Sequence, residues 1–260
     1  MIRQIPNLLT LCNLILGCMA IVFLLQNGWV MVEDETQIAG YRMELQVEQM
    51  FLASLCIGLA AVVDFFDGFA ARALGAQGEM GVQLDSLADV VSFGVAPSMI
   101  IYQLLRLSLA REEDGLSASF IWLVPAFVLA ASAAWRLARF NIDKETPSHY
   151  FRGTPVPSVG LTIAALPLIW WQATAQWEVD LLTNRWVLYA LVGVMSWLMV
   201  SDLPIMSNKP AKRTGAGFLP QILVVVLAIL AAAFLGWWAV PVTFAGFVFF
   251  SIIFKSRIVQ

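Results

Sequence analysis

Residues 64–89 read DFFDGFAARALGAQGEMGVQLDSLAD, with apolar sequence on either side. Four aspartates lie in this stretch, Asp64, Asp67, Asp85 and Asp89, out of nine in the whole chain. A carboxylate at membrane depth costs several kcal/mol unless a positive group compensates it. The stretch contains one cation, Arg72, against those four acids. The pattern therefore calls for bound cations, and its simplest reading is a divalent-metal site.

The membrane setting follows from the rest of the chain. Of its 260 residues, 60% are hydrophobic and 13% charged, and the mean hydropathy is +0.80. Several apolar runs approach the ~20 residues needed to cross a ~30 Å hydrocarbon core. The spacing predicts eight spans, at 6–26, 49–68, 82–107, 118–140, 155–174, 185–201, 217–235 and 238–254. The last two are separated only around Gly236 and Trp237, and read as a tight hairpin or one broken element. Polar stretches between the runs are short, which excludes a separate soluble domain. The expected fold is an all-α, polytopic transmembrane bundle: a six-helix catalytic core over residues 1–215, and two further spans within 216–260 to which the sequence assigns no role.

An even number of spans puts both termini on one side. That side also receives Arg3, Arg72, Arg136, Arg139, Lys144, Arg152, Lys209, Lys212, Arg213, Lys255 and Arg257, whereas Arg42, Arg106, Arg111 and Arg185 fall opposite. The positive-inside tendency makes the terminal side cytoplasmic. The opposite loops are acidic, so the formal net charge of -3 says little about partners. The first span lacks a basic leader and a cleavage site and reads as a retained helix. Cys12, Cys18 and Cys56 lie in apolar spans at spacings that suit neither a disulfide framework nor zinc.

Depth brings the four aspartates together. At 1.5 Å per residue, a second span entering near residue 50 carries Asp64 about 21 Å and Asp67 about 26 Å across. The third span starts back near residue 82, so Asp85 lies about 4.5 Å deep and Asp89 about 10 Å deep. Asp67 thus faces Asp85, and Asp64 faces Asp89. Spacings of three and four keep each pair on one helical face. Converging hard oxygens select Mg²⁺ or Mn²⁺, and four carboxylates suit two ions. Helix-capping carboxylates near the headgroups are the plainer reading for one aspartate, but four in facing register exceed it. Gly68, Ala71 and Gly81 read as small residues at a helix end and a helix start, where backbone and ligand approach closely. Arg72 lies at headgroup depth, ready to hold an anion.

Asp64, Asp67, Gly68, Ala71, Arg72, Gly81, Asp85 and Asp89 spell D-x2-D-G-x2-A-R-x8-G-x3-D-x3-D. This resembles the signature of the CDP-alcohol phosphotransferase family at every position. The resemblance implies a six-helix core that transfers a phosphatidyl or similar group from a CDP-linked donor to an alcohol. It implies metal ligation by Asp64, Asp67 and Asp85, with Asp89 taking the acceptor's hydroxyl proton and also touching a metal. Donor binding falls on Asp67, Gly68, Ala71, Arg72 and Gly81, joined by Asn7 and Thr10 of the opening PNLLTLCN at 6–13. SFGVAPS at 92–98, RLARFN at 136–141, FRGTPVP at 151–157 and, more loosely, MVS at 199–201 with SNK at 207–209 resemble the phosphatidylserine synthase branch.

That branch implies a phospholipid-synthesis enzyme taking CDP-diacylglycerol and L-serine to phosphatidylserine and CMP, in a bacterial inner membrane, with its site open to the cytoplasm. Arg139 and Arg136, on one side of the fourth span, are the expected binders of the serine carboxylate. Other acceptors, such as glycerol phosphate or inositol phosphate, remain open, as does a cation transporter of a different class. An intramembrane prenyltransferase would carry two separated aspartate-rich motifs, and this chain has a single window. Expected partners are the two substrates, the bilayer and, as an open alternative, a second copy in a homodimer, with no nucleic acid. His149 reads as a solvated loop residue, and span-end tryptophans such as Trp171 and Trp237 as interfacial anchors.

Overall fold

The computed structural model describes residues 4–27, 29–33, 41–45, 47–75, 78–111, 119–143, 151–205 and 219–254. His149, the SNK motif, the 215/216 boundary and many of the loop charges that set the sidedness lie outside them.

Each of the eight expected spans falls on helix. These are α1 (Ile5–Leu25), α2 (Val47–Ala73), α3 (Glu79–Asp89) running through a π-helical segment (Val90–Val95) into α4 (Ala96–Ala110), α5 (Val128–Asp143), α6 (Val156–Gln172), and α8 (Arg185–Val200), which follows a short α7 (Gln176–Leu182). The last two are α9 (Leu219–Leu235) and α10 (Ala239–Ile253). Five stretches are long and apolar enough, by length and composition, to cross a bilayer: Ile5–Leu25, Val47–Ala73, Glu79–Ala110, Phe120–Ile142 and, taken as one stretch, Pro220–Ile253. The α7–α8 pair, bent by 58°, makes a sixth. At 17 residues α6 is shorter, about 26 Å long, and almost wholly buried. The protein is an integral membrane bundle. Its outer faces are apolar, with Leu8, Phe65, Phe69 and Phe234 all exposed, as expected where lipid replaces water.

Pro220–Ile253 is a hairpin rather than one long span. Its 34 residues would reach about 51 Å if straight, but Gly236 has a φ of 55°, which an L side chain resists. The chain reverses there and α9 packs on α10. The turn is docked on the end of α6 and the start of α7. Trp237 N–H donates to Gln172 Oε1 at 3.1 Å and Trp238 Nε1 to Glu178 Oε1 at 2.8 Å. Two strand pairings were not anticipated from sequence. Strands β1 (Trp29–Glu33) and β2 (Tyr41–Leu45) form an antiparallel ribbon between α1 and α2, and β3 (Phe151–Arg152) pairs with β4 (Pro204–Ile205).

Helix ends also differ from the expected spans. Five residues past the predicted end, α2 still continues to Ala73, and α3 starts at Glu79 rather than 82. No breaker intervenes until Gly75, whose φ is 57°, and a helix need not stop at the hydrocarbon boundary. Gly68, Ala71, Arg72 and Gly81 therefore sit within helices, not in the turn.

The π segment is the hub of the core. Ala96 N–H reaches back to Val91 O, five residues earlier, which is the hydrogen-bond step of a π-helix. The segment touches α1, α4, α5 and α6. Small residues permit that crowding: a Cβ on Gly17 would lie 2.8 Å from Ser92 Cα, and one on Gly160 would lie 2.9 Å from Phe93 O. Phe93 is 1% exposed. Beside it, the C-terminal carbonyls of α8 are capped from two directions. Thr154 N–H donates to Leu198 O at 3.0 Å, and Arg139 Nη1 to Val200 O at 3.0 Å. Gly153, with φ 70°, fits because a Cβ there would lie 3.0 Å from Ser201 O.

Candidate metal centre and acceptor pocket

Three helices bring the site together. Asp64 and Asp67 lie on α2, Asp85 and Asp89 on α3, and α1 packs against both. Asp64, Asp67 and Asp85 each present a carboxylate oxygen, and these oxygens lie within 4.8 Å of one another. Hard oxygens clustered this closely suit a small divalent ion.

The fourth aspartate is placed differently. Asp89 is 6% exposed and is not one of the three that converge within 4.8 Å. It lies within electrostatic reach of all three. Asn13 Nδ2 of α1 donates to Asp89 Oδ1 at 3.5 Å. The four-carboxylate convergence expected from the spans is thus met by three, Asp64 grouping with Asp67 and Asp85 while Asp89 stands outside that group.

Residues of α1 hold these acids in place. Thr10 Oγ1 donates to Asp67 Oδ2 at 2.7 Å and lies 3.1 Å from Pro6 O. Such a hydrogen bond fixes the orientation of a ligating carboxylate. Asn7 Nδ2 donates to Gln4 Oε1 at 2.9 Å, and a Cβ on Gly81 would lie 3.2 Å from Asn7 Oδ1. The opening PNLLTLCN segment and Gly81 therefore meet at the mouth of the site. A Cβ on Gly68 meets no atom within 4 Å, so this glycine leaves open space beside Asp67 rather than a tight helix contact. Ala71 is half-buried beyond it, and Arg72 is exposed in the last turn of α2.

The two arginines of α5 have separate surroundings. Arg139 is held by the end of α8: besides Val200 O, it reaches Ser201 O at 3.4 Å and pairs with Asp202 Oδ1 at 3.4 Å. Arg136 is 7% exposed, its Nε has no hydrogen-bond partner, and Asp89 is within its electrostatic reach. Of the two arginines expected to hold an acceptor carboxylate, the structure leaves Arg136 the one with an uncommitted donor. Sequence periodicity placed both on one side of the helix and could not separate them, because the difference lies in what packs opposite.

Asn13, Ser86 and Asn141 join the site through contacts that the sequence alone does not reveal. Asn141 Nδ2 donates to Ser86 Oγ at 2.8 Å, tying α5 to α3 between Asp85 and Asp89. The backbone carbonyl of Asn13 accepts from Ser92 Oγ at 3.0 Å, which locks α1 to the π segment directly after Asp89. A polar residue repeating every third position on α1, at 7, 10 and 13, was the available signal.

Known proteins share this core. The CDP-alcohol phosphatidyltransferase family model matches residues 3–200. A Mycobacterium leprae protein named CDP-diacylglycerol--serine O-phosphatidyltransferase is 30% identical over 197 residues, which is 72% of this chain and 61% of that protein. A Bacillus subtilis protein of the same name is 34% identical over 165 residues, covering 63% of this chain and 75% of its own. One from Methanocaldococcus jannaschii is 33% identical over 147 residues, 56% of this chain and 60% of its own length. The chain thus spans about three fifths to three quarters of the length of these relatives. Since the family match begins just before α1 and stops where α8 does, what is shared is the whole six-span core, and the chain belongs to the CDP-alcohol phosphatidyltransferase family.

Proposed function

We propose that this protein transfers the phosphatidyl group of CDP-diacylglycerol to the hydroxyl of L-serine, releasing CMP and forming phosphatidylserine. The observation that carries the reading is a buried Asp89 within electrostatic reach of both the three-carboxylate group and Arg136, whose Nε has no partner. Asp64, Asp67 and Asp85 would hold Mg²⁺ or Mn²⁺, and two ions suit the charge of the site. Bound there, such ions offset the diphosphate charge and favour departure of CMP.

The side chains supply the rest. Arg136 holds the serine carboxylate, which sets the hydroxyl against Asp89. Asp89 accepts the hydroxyl proton as the serine oxygen bonds to the phosphatidyl phosphorus and the bond from that phosphorus to CMP breaks. Arg72, at the exposed end of α2, holds donor phosphate, and Gly68 and Gly81 leave room for it. The relatives' names support serine as the acceptor.

The test is CMP release from CDP-diacylglycerol by the purified protein against serine, ethanolamine, glycerol phosphate and inositol phosphate. Serine should dominate. Release with glycerol phosphate or inositol phosphate in its place would move the protein to another branch, and no release with any alcohol would remove the transferase reading. Arg136→Ala should raise the serine KM strongly, since a charge-assisted pair lost from a buried site costs ~2 to 5 kcal/mol. The donor KM should hardly change. Arg139→Ala should act mainly on stability, through the freed α8 carbonyls. If Arg139→Ala alone raised the serine KM, the order would be reversed.

The site is also proposed to open to the cytoplasm, on the strength of the basic loops that share its side. In a background lacking the three native cysteines, a cysteine at Gln77, outside the described residues, should react with an impermeant thiol reagent only after the membrane is opened. Labelling in intact cells would invert the topology.

A further inference from the structure

Three buried polar atoms near Asp89 have no hydrogen-bond partner: Asn13 Oδ1, Asn141 Oδ1 and Arg136 Nε. Buried polar groups are normally satisfied, so orphans gathered at a site point to a missing ligand. The identity of each atom is set by its neighbours. Asn13 Nδ2 donates to Asp89 Oδ1, so the atom left without a partner is the carbonyl oxygen. Ser86 Oγ lies 3.1 Å from Val82 O and donates there, so it accepts from Asn141 Nδ2, and again the carbonyl oxygen is left over. The site thus offers an unused donor on α5 and unused acceptors on α1 and α5.

A zwitterionic amino acid complements that set. Resting on the serine reading above, we infer that Asn13 Oδ1 accepts a hydrogen bond from the substrate's ammonium group and thereby selects an α-amino acid over a plain hydroxy acid. Connectivity chooses Asn13 over Asn141. In serine the hydroxyl and amino groups sit on adjacent carbons, so their partners must be neighbours. Asn13 is hydrogen-bonded to Asp89 itself, whereas Asn141 is bonded to Ser86, nearly one turn away along α3. The carboxylate shares the α-carbon with the amino group, and Arg136 is the cation within reach of Asp89. Asn13 is 0% exposed, and its helix is pinned by the bond from Ser92 Oγ to Asn13 O and by Gly17 against Ser92. It is a specificity residue held in place, not a flexible side chain that could turn away.

The experiment compares L-serine with 3-hydroxypropionate, which keeps the hydroxyl and carboxylate and lacks the amino group. Unmutated protein should prefer serine by at least about a hundredfold in kcat/KM, because a site built for an N–H rejects the analogue that lacks it. Asn13→Leu should cut that preference about tenfold or more, and Asn13→Asp, which keeps an acceptor oxygen, should retain it even at a lower rate. CDP-diacylglycerol binding is measured on each variant to show that the fold persists. Should Asn13→Leu lose both acceptors in proportion, or should Asn141→Leu alone change the preference, the assignment to Asn13 is overturned. If the unmutated protein uses no amino acid at all, it is the serine reading that falls.

Discussion

Asparagine at Asp64, Asp67 or Asp85 should lower turnover about a thousandfold or more, together with the apparent affinity for the divalent ion. Several kcal/mol of charge stabilisation are at stake, and each 1.36 kcal/mol is a decade in rate. Their three oxygens fall within 4.8 Å of one another, so each replacement takes one ligand from the same cluster. Thr10→Val should follow the same direction by a smaller step, about ten- to a hundredfold in metal affinity, because it frees Asp67 without removing it. Exhaustive chelation followed by readdition of Mg²⁺ or Mn²⁺ is the companion measurement. Full turnover in the chelated protein, or normal metal dependence in Asp67→Asn, would dismiss the assignment.

Replacement of Asp89 by asparagine should cost between about a hundredfold and ten-thousandfold in kcat, the usual worth of a positioned base. Metal dependence and donor affinity should change far less, because Asp89 lies outside the converging group of three. Rapid-quench measurement of CMP formation under single-turnover conditions isolates that step from product release. A variant that kept kcat but lost metal binding would make Asp89 a ligand rather than a base.

The sequence carried the aspartate site almost completely. Periods of three and four, read against the antiparallel return of the chain, place two carboxylates on each of two facing helices, and depth along a span needs only the rise per residue. The helical stretches were legible for the same reason, since hydropathy reports the solvent around a helix, although only five or six stretches, against the eight expected spans, are long and apolar enough to cross among the described residues. Helix ends were not, because α2 runs past the hydrocarbon until Gly75 turns the chain. The two arginines of α5 looked alike in sequence. They diverge because the carbonyls at the end of α8 engage one of them, a fact that resides in a segment some sixty residues away. Asn13 was hidden more deeply still: an asparagine in an apolar helix reads as an interruption, and its significance is visible only once Asp89 and Ser92 stand beside it.

The π-helical segment at Val90–Val95 has a consequence for how this protein can change over evolutionary time. A π-helix holds one residue more than the α-helix it replaces. Deleting one residue there would restore a continuous α-helix and turn everything before it by about 100° relative to α4. Asp85 and Asp89 would swing away from α2 while every side chain of the segment's packed neighbours kept its identity. Substitutions in this hub can be absorbed one at a time, but a single-codon loss would misalign the chemistry at a stroke. Length at this point should therefore drift far less than sequence.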